Sequence, residues 1–184
     1  MVFLCNTPYP QASQETYQSY FDRYPFPLSD FQKYAIEAIV KEQHVLVTEH
    51  TGSGKTLPAE FGISHFHEKG KKVIYTSPIK ALSNQKYYEF SKKYPHISFG
   101  LFTGDIKTNP EADVLIMTTE ILMNYLFVST QHKQPDDTTV FSQPANEFTS
   151  GLPFQIDIQN ELGCVVFDEV HYINDKERGQ TWEK

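Results

Sequence analysis

Hydrophobic positions along the chain follow two periods, and the switches between them mark its elements. Residues 1–24, rich in Tyr, Gln, Ser and Pro, show no period and predict an extended or partly disordered arm. In Tyr24-Pro25-Phe26-Pro27-Leu28 each proline holds its predecessor extended. Ser29-Asp30-Phe31-Gln32 then fits a capping box, and Phe31, Tyr34, Ala35, Ala38 and Ile39 recur at helical spacing, predicting a helix to about Glu42. Short apolar runs alternate with helical stretches from there on. Strands are predicted at His44–Thr48, Lys72–Ser77, Ile97–Phe102, Val114–Thr118 and Leu162–Asp168. Helices are predicted from the glycine-rich loop to about Lys69, from Ile79 to Lys93, and from Thr119 to about Phe127. Near-continuous apolar strands between helices indicate an α/β fold with a mainly parallel sheet and helices on both faces.

One stretch breaks this rhythm. Residues 129–160 carry Pro135, Pro144, Gly151 and Pro153 among Ser, Thr, Gln and Asp, which predicts a surface insertion. Phe154, Ile156 and Ile158 alternate, so its end is expected to add a short edge strand.

At 184 residues the chain suits one domain with a sizeable core. Aromatics reach 14%, a globular composition and not a disordered one. The longest apolar-rich stretch, Val114–Val128, is interrupted by Glu120 and several polar residues, which argues against a membrane span and a membrane partner. The first five residues lack the basic segment and apolar length of a secretory signal, and no N-glycosylation acceptor occurs, so an intracellular, non-secreted protein is expected. Cys5 and Cys164 cannot by themselves build a disulfide framework or a zinc site.

Net charge is −7, which at long range repels phosphate. Its distribution is uneven. Between Lys69 and Lys93 seven lysines are opposed by Glu89 alone, a local excess suited to a polyanion or to a solvated helix face.

The chemistry concentrates at two places. Glu49-His50-Thr51-Gly52-Ser53-Gly54-Lys55-Thr56 lies between a predicted strand and a predicted helix, the context of a phosphate-binding loop. The glycines let backbone N–H groups of His50 to Thr56 surround phosphate oxygens, and the helix N-terminus adds partial positive charge. Lys55 is placed to reach the β- and γ-phosphates, and Thr56 to hold Mg²⁺. Glu49 stands where Gly or Ala is usual, and Pro58 falls in the first helical turn, where its missing N–H does little harm. The second place is Val165-Val166-Phe167-Asp168-Glu169-Val170-His171. An apolar strand that delivers an acid to its carboxyl end supplies a Mg²⁺ partner, Asp168, and a general base for an attacking water, Glu169.

Asp168-Glu169-Val170-His171 is a DEVH box, and the motif order resembles the first RecA-like domain of superfamily 2 helicases. Further text is similar to the superkiller-type RNA helicases, cofactors of the RNA exosome. It comprises Thr76–Tyr87 (TSPIKALSNQKY), Thr103-Gly104-Asp105, Met117–Leu122 (MTTEIL) and Asp168–Gly179 (DEVHYINDKERG). The resemblance covers about Phe26 to Lys184 outside the insertion. It divides the chain into an arm, 1–24, and a RecA-like P-loop NTPase domain, 25–184, with 129–160 inserted. It implies adenine recognition by Gln32, stacking of the base on Phe26, and ATP with Mg²⁺ as cofactors. It puts an RNA backbone track on Pro78, Lys80, Ala81, Thr103, Gly104, Thr119 and Glu120, with Lys86 in the same lysine-rich window, and a link from the ATP site to further motifs on His171. It also implies a second RecA-like domain with the arginines that stabilise γ-phosphate charge, which is not found within residues 1–184. Neither Arg23 nor Arg178 sits where the family's arginine does.

The expected function is therefore the ATP-binding half of an ATP-dependent RNA helicase, nearly inactive by itself. RNA, a second RecA-like domain and exosome machinery are the expected partners. A non-catalytic nucleotide- or RNA-binding module, a DNA helicase fragment and a P-loop kinase are the alternatives, and the kinase leaves the additional motifs unexplained. His65 and His67 are expected to be surface or packing residues, and Trp182 a core or hinge-side aromatic.

Overall fold

A computed structural model describes residues 4–50, 52–131 and 154–174, in two compact units, residues 1–69 and 70–184. The first unit is helical. Its helices are α1 (Gln11–Phe21), α2 (Asp30–Val40) and α3 (Thr56–Glu68). The arm is thus not extended throughout. Gln, Glu and Ala favour a helix, and Tyr17, Tyr20 and Phe21 share one face of it. Tyr9 anchors the start of the arm, its ring 4.9 Å from Tyr34 and 5.6 Å from Phe21 and its hydroxyl donating to Glu37 at 2.6 Å. Arg23 closes the other end, over the Tyr20 ring and paired with Glu68 at 3.0 Å. Ala35, Ile36 and Ile39 of α2 and Phe61, Ile63 and Phe66 of α3 are buried.

The segment His44–Thr48 is a second correction. Its residues suit a strand, but no ladder among the described residues includes them; Val45 and Leu46 are exposed. Strand propensity describes a fit to a pleated surface, and pairing must supply that surface.

The second unit holds a five-stranded sheet. In chain order its elements are β1 (Lys72–Ser77), α4 (Lys80–Lys93), β2 (Phe99–Phe102), β3 (Lys107–Thr108), β4 (Val114–Thr118), α5 (Thr119–Gln131) and β5 (Leu162–Phe167). A 3-10 turn, Val170–Asn174, follows. The strand order is β3-β2-β4-β1-β5. β1 runs parallel to both β4 and β5, β2 runs parallel to β4, and the short β3 returns antiparallel to β2. The hairpin between β2 and β3 needs Gly100, where a Cβ would meet the Asn109 carbonyl oxygen at 2.4 Å.

Alternation sends successive side chains to opposite faces. Tyr75 and Phe99 meet Phe90 of α4, while Ile74, Phe102, Leu115 and Met117 cluster with Leu122 and Tyr125 of α5. The unit is therefore the α/β arrangement that the sequence pattern predicts, covered on both faces. The expected edge strand after the insertion is absent, for a specific reason. Phe154 and Ile156 are buried as their alternation suggests, but the backbone of Ile156 bonds the Tyr125 hydroxyl (2.9 and 3.2 Å) in place of a strand, and Ile158 is exposed. Most of the insertion, 132–153, lies outside the described residues, as do Thr51, Arg178 and Trp182.

Candidate nucleotide and nucleic-acid site

The phosphate-binding loop of the first unit is built by two glycines. Gly52 and Gly54 have φ of +84° and +86°, the left-handed region that β-carbon sterics close to most residues. Such alternation gathers backbone N–H groups into an anion-binding concavity. Between the glycines, Ser53 Oγ is buried with no hydrogen-bond partner among the described residues. A buried hydroxyl left so is costly, and a phosphate oxygen would satisfy it. Lys55 caps α3, its Nζ donating to the Glu49 carbonyl at 2.7 Å, and Thr56 opens the helix. Pro58 is buried in that first turn. The Glu49 carboxylate lies 3.5 Å from the exposed imidazole of His50.

Gln32 ties this loop to α2. It is buried, accepts the Ser29 N–H at Oε1 (3.0 Å) as the capping box requires, and donates from Nε2 to the Gly54 carbonyl at 3.2 Å. Both ends of its amide are thus engaged. Phe26 is half exposed, its ring 5.9 Å from Tyr24, so an open face for stacking is present. His65 is a packing residue, enclosed by Tyr20, Phe61 and Phe66. Burial first, then Lys69 and Arg23, lower its pKa.

In the second unit the parallel strands bring their carboxyl ends to one edge, and the remaining sequence motifs stand on that edge. Asp168 follows β5. Its N–H donates to the Thr76 carbonyl at 2.9 Å, its Oδ1 accepts the Glu169 N–H at 2.9 Å, and its Oδ2 accepts the Tyr75 hydroxyl at 2.6 Å. Glu169 has a φ of +55°, an uncommon value for a residue with a side chain, and its Oε2 is 3.0 Å from His171 Nδ1. Pro78 and Ala81 follow β1, with Pro78 buried and Ala81 exposed. Thr119 starts α5 and donates from its hydroxyl to the Ser77 carbonyl at 3.3 Å, which joins the end of β4 to the end of β1. Glu120 is exposed beside it.

Thr103, after β2, is buried. Its hydroxyl donates to Asp105 at 3.0 Å and accepts the Ile106 N–H, while Gly104 is open to solvent. The Lys80 ammonium pairs with Asp105. Lys80 first and Thr103 second hold that carboxyl below the usual aspartate range. The residues expected to form a track thus follow the carboxyl ends of β1, β2 and β4, and three of their polar groups are committed to neighbours.

Several lysines of the lysine-rich window are committed to neighbours. Lys69 pairs with Glu42, and Lys72 bonds the Glu111 and Ala112 carbonyls. Lys86 pairs with Glu89 and lies over the Phe90 ring. Lys80 is the lysine of this window that starts α4 at the strand ends. Cys164, in β5, has its thiol pushed up to about 11 by burial, which keeps it protonated and inert. Sequence reasoning passed over Tyr75 and Asp105. A tyrosine directly after Val73 and Ile74 in a strand expected to be buried was the available signal, since a buried phenol needs a hydrogen-bond partner.

In the first unit the glycine loop with a buried hydroxyl lacking a partner among the described residues, the lysine at the start of α3 and the Thr56 hydroxyl suit phosphate groups and a hard cation. In the second unit the Asp168 carboxylate by itself suits a hard cation. Comparison with known proteins agrees in family. The DEAD/DEAH box helicase family profile matches residues 29–184. The chain is 43% identical over 161 residues to mRNA transport homolog 4 of Caenorhabditis elegans, covering 88% of this chain and 13% of that protein. It is 40% identical to Antiviral helicase SKI2 of Saccharomyces cerevisiae and to Exosome RNA helicase MTR4 of Homo sapiens, covering 88% of this chain and 10% and 13% of those proteins. The chain thus spans a small part of the length of these relatives. The solved DUF1998 helicase MrfA bound to DNA and AMPPNP superposes with a TM-score of 0.49 at 20% identity, over 68% of this chain and 19% of that one.

Proposed function

Because the chain belongs to the DEAD/DEAH box helicase family and is similar to its Ski2/Mtr4-type members, we propose that it is the ATP-binding half of an RNA helicase. The observation that carries this reading is the shared strand edge. Pro78, Lys80 and Ala81 after β1, Thr103 and Gly104 after β2, Thr119 and Glu120 after β4, and Asp168 after β5 stand at the carboxyl ends of parallel strands. Open α/β sheets place ligands beyond those ends.

In this proposal the N–H groups of residues 50–56 and the Lys55 ammonium hold the phosphates, Lys55 exchanging the Glu49 carbonyl for a phosphate oxygen. Thr56 Oγ1 in the first unit and the Asp168 carboxylate in the second are the oxygens that would hold Mg²⁺. Bound Mg²⁺ supplies fixed positive charge on the phosphate oxygens. Glu169 takes the proton of the attacking water, and His171 Nδ1, at 3.0 Å, orients its carboxylate. The second Nε2–H and the second Oε1 lone pair of Gln32, beyond its bonds to Gly54 and Ser29, read the adenine edge, and Phe26 stacks on the base. The Gln32 bond to Gly54 couples that reading to the phosphate loop. Small residues and hydroxyls along the track bond an RNA backbone without reading sequence. Hydrolysis and unwinding need a second RecA-like domain and its arginines. The domain is assigned to residues 25–184, with 1–24 as an arm and 129–160 as an insertion. The relatives' names, antiviral helicase and exosome RNA helicase, support RNA as substrate and exosome machinery as partner.

Fluorescence anisotropy with single-stranded RNAs of unrelated sequence tests the reading. Weak, sequence-indifferent binding that falls steeply with salt is expected, and Lys80→Gln should lower the salt slope by up to about one. Tighter binding to DNA of the same sequence, or a slope indifferent to Lys80, would contradict it.

A further inference from the structure

A buried tyrosine sets the orientation of the acidic strand end. Tyr75 sits in the middle of β1, 1% exposed, between Ile116 of β4 and Val166 of β5. Its ring fills the layer beneath α4, edge-on to Phe90 at 5.3 Å. Packing accounts for the ring but not for the hydroxyl, which in a buried strand must find an acceptor or be left unpaired. Its direction follows from register. Tyr75 is level with Val166, and Asp168 lies two residues farther along, on the same face and within diagonal reach of a long side chain. The hydroxyl meets Asp168 Oδ2 at 2.6 Å, the length of a charge-assisted bond.

The carboxylate is thereby held at both oxygens, by Tyr75 at Oδ2 and by the Glu169 N–H at Oδ1, while the Asp168 N–H is fixed to Thr76. A carboxylate offers about four acceptor sites, so two bonds fix its rotation and leave positions for a cation or its water. We infer that Tyr75 is a positioning residue that presents the Asp168 carboxylate to a nucleotide-bound divalent cation. The inference rests on the nucleotide reading of Asp168 given above. It differs from a structural role in where its loss is felt. A hydroxyl that merely satisfied its own burial would affect folding and leave cation affinity alone. A hydroxyl that orients a ligand affects the cation, as outer partners of metal ligands do.

The test uses the full chain, with Mn²⁺ as probe at saturating ATP and unbound Mn²⁺ read by electron paramagnetic resonance. Tyr75→Phe keeps the ring and removes the donor. It should raise the Mn²⁺ dissociation constant roughly tenfold, with the circular dichroism spectrum and the ATP affinity measured without metal unchanged. In an Asp168→Asn background the same change should add nothing, because its effect passes through that carboxylate. Unaltered Mn²⁺ affinity in a folded Tyr75→Phe chain would overturn the inference while leaving the nucleotide reading intact. An original chain whose ATP binding ignores Mn²⁺ would overturn both.

Discussion

Lys55 and Asp168 are the two charged groups on which the nucleotide reading depends, and they are held in opposite ways. The Lys55 ammonium bonds a carbonyl six residues earlier in its own loop, at Glu49. The Asp168 carboxylate bonds a tyrosine from the far side of the sequence, Tyr75, and its backbone is tied to the neighbouring strand at Thr76. The loop is thus a local structure, shaped by two left-handed glycines. The acidic end is a tertiary structure, and its geometry belongs to the sheet. Damage to the sheet should therefore reach Asp168, whereas damage to the loop should stay in the loop.

The largest expected effect breaks the sheet side. Phe102 is fully buried, 5.3 Å from the Phe154 ring, and Phe102→Ala should cost about 3–5 kcal/mol in denaturant unfolding. Hydrogen exchange should show the loss spread over β1, β4 and β5, and so to the backbone that carries Asp168. A loss confined to β2 would mean that the strands are less cooperative than the comparison requires.

Gly54→Ala attacks the loop side. With φ at +86°, and a Cβ 2.7 Å from Gln32 Nε2, alanine must displace the Gln32 amide. The expected cost is about 1 kcal/mol of stability or somewhat more. Nucleotide affinity should fall severalfold, with exchange in the sheet unchanged. Normal nucleotide binding by this variant would remove the loop from the account.

A smaller effect separates the two units by pH. Burial, with Lys69 and Arg23 nearby, lowers the His65 pKa, so the unfolded chain takes up this proton near pH 6.5 while the folded first unit resists it. Between that value and the lowered folded one the unfolded state binds more protons, so stability falls as pH falls and is level above it. Amides of α3 should lose protection between pH 7 and 5.5 before those of β4, and His65→Phe should abolish the difference. Equal losses in both units would show that His65 is not the cause.

What was legible in the sequence divides along the same line. The capping box at Ser29 and Gln32, the glycine loop and the apolar runs of β1, β4 and β5 are local patterns, and each stands where its spacing puts it. The misreadings concern partners distant in sequence. Helix α1 is polar apart from a few aromatics, and its lodging depends on α2 and α3, which no period within 1–24 reveals. The segment 44–48 has strand residues without a ladder. Ile156 spends its backbone N–H and carbonyl on the Tyr125 hydroxyl, and Phe154 stacks its ring on that tyrosine. The lysine excess at 69–93 reads in sequence as suited to a polyanion or to a solvated helix face, and the commitments of its lysines to Glu42, backbone carbonyls, Glu89 and Asp105 were not legible there. The glycine loop and the acidic strand end could be named from their residues and the remaining motif residues from the family resemblance, whereas the Tyr75 contact to Asp168 needed the strand register.

Calorimetric titration of ATP and GTP into the full chain, with Mg²⁺ and with a chelator, tests the central claim most directly. ATP should bind measurably and in a Mg²⁺-dependent way, and GTP more weakly, because Gln32 and Phe26 favour adenine. Lys55→Ala should lose about 10- to 100-fold in affinity, the worth of a hydrogen bond to a charged group. Equal affinity for the two nucleotides would contradict the adenine assignment, and ATP binding indifferent to Lys55 would contradict the claim itself.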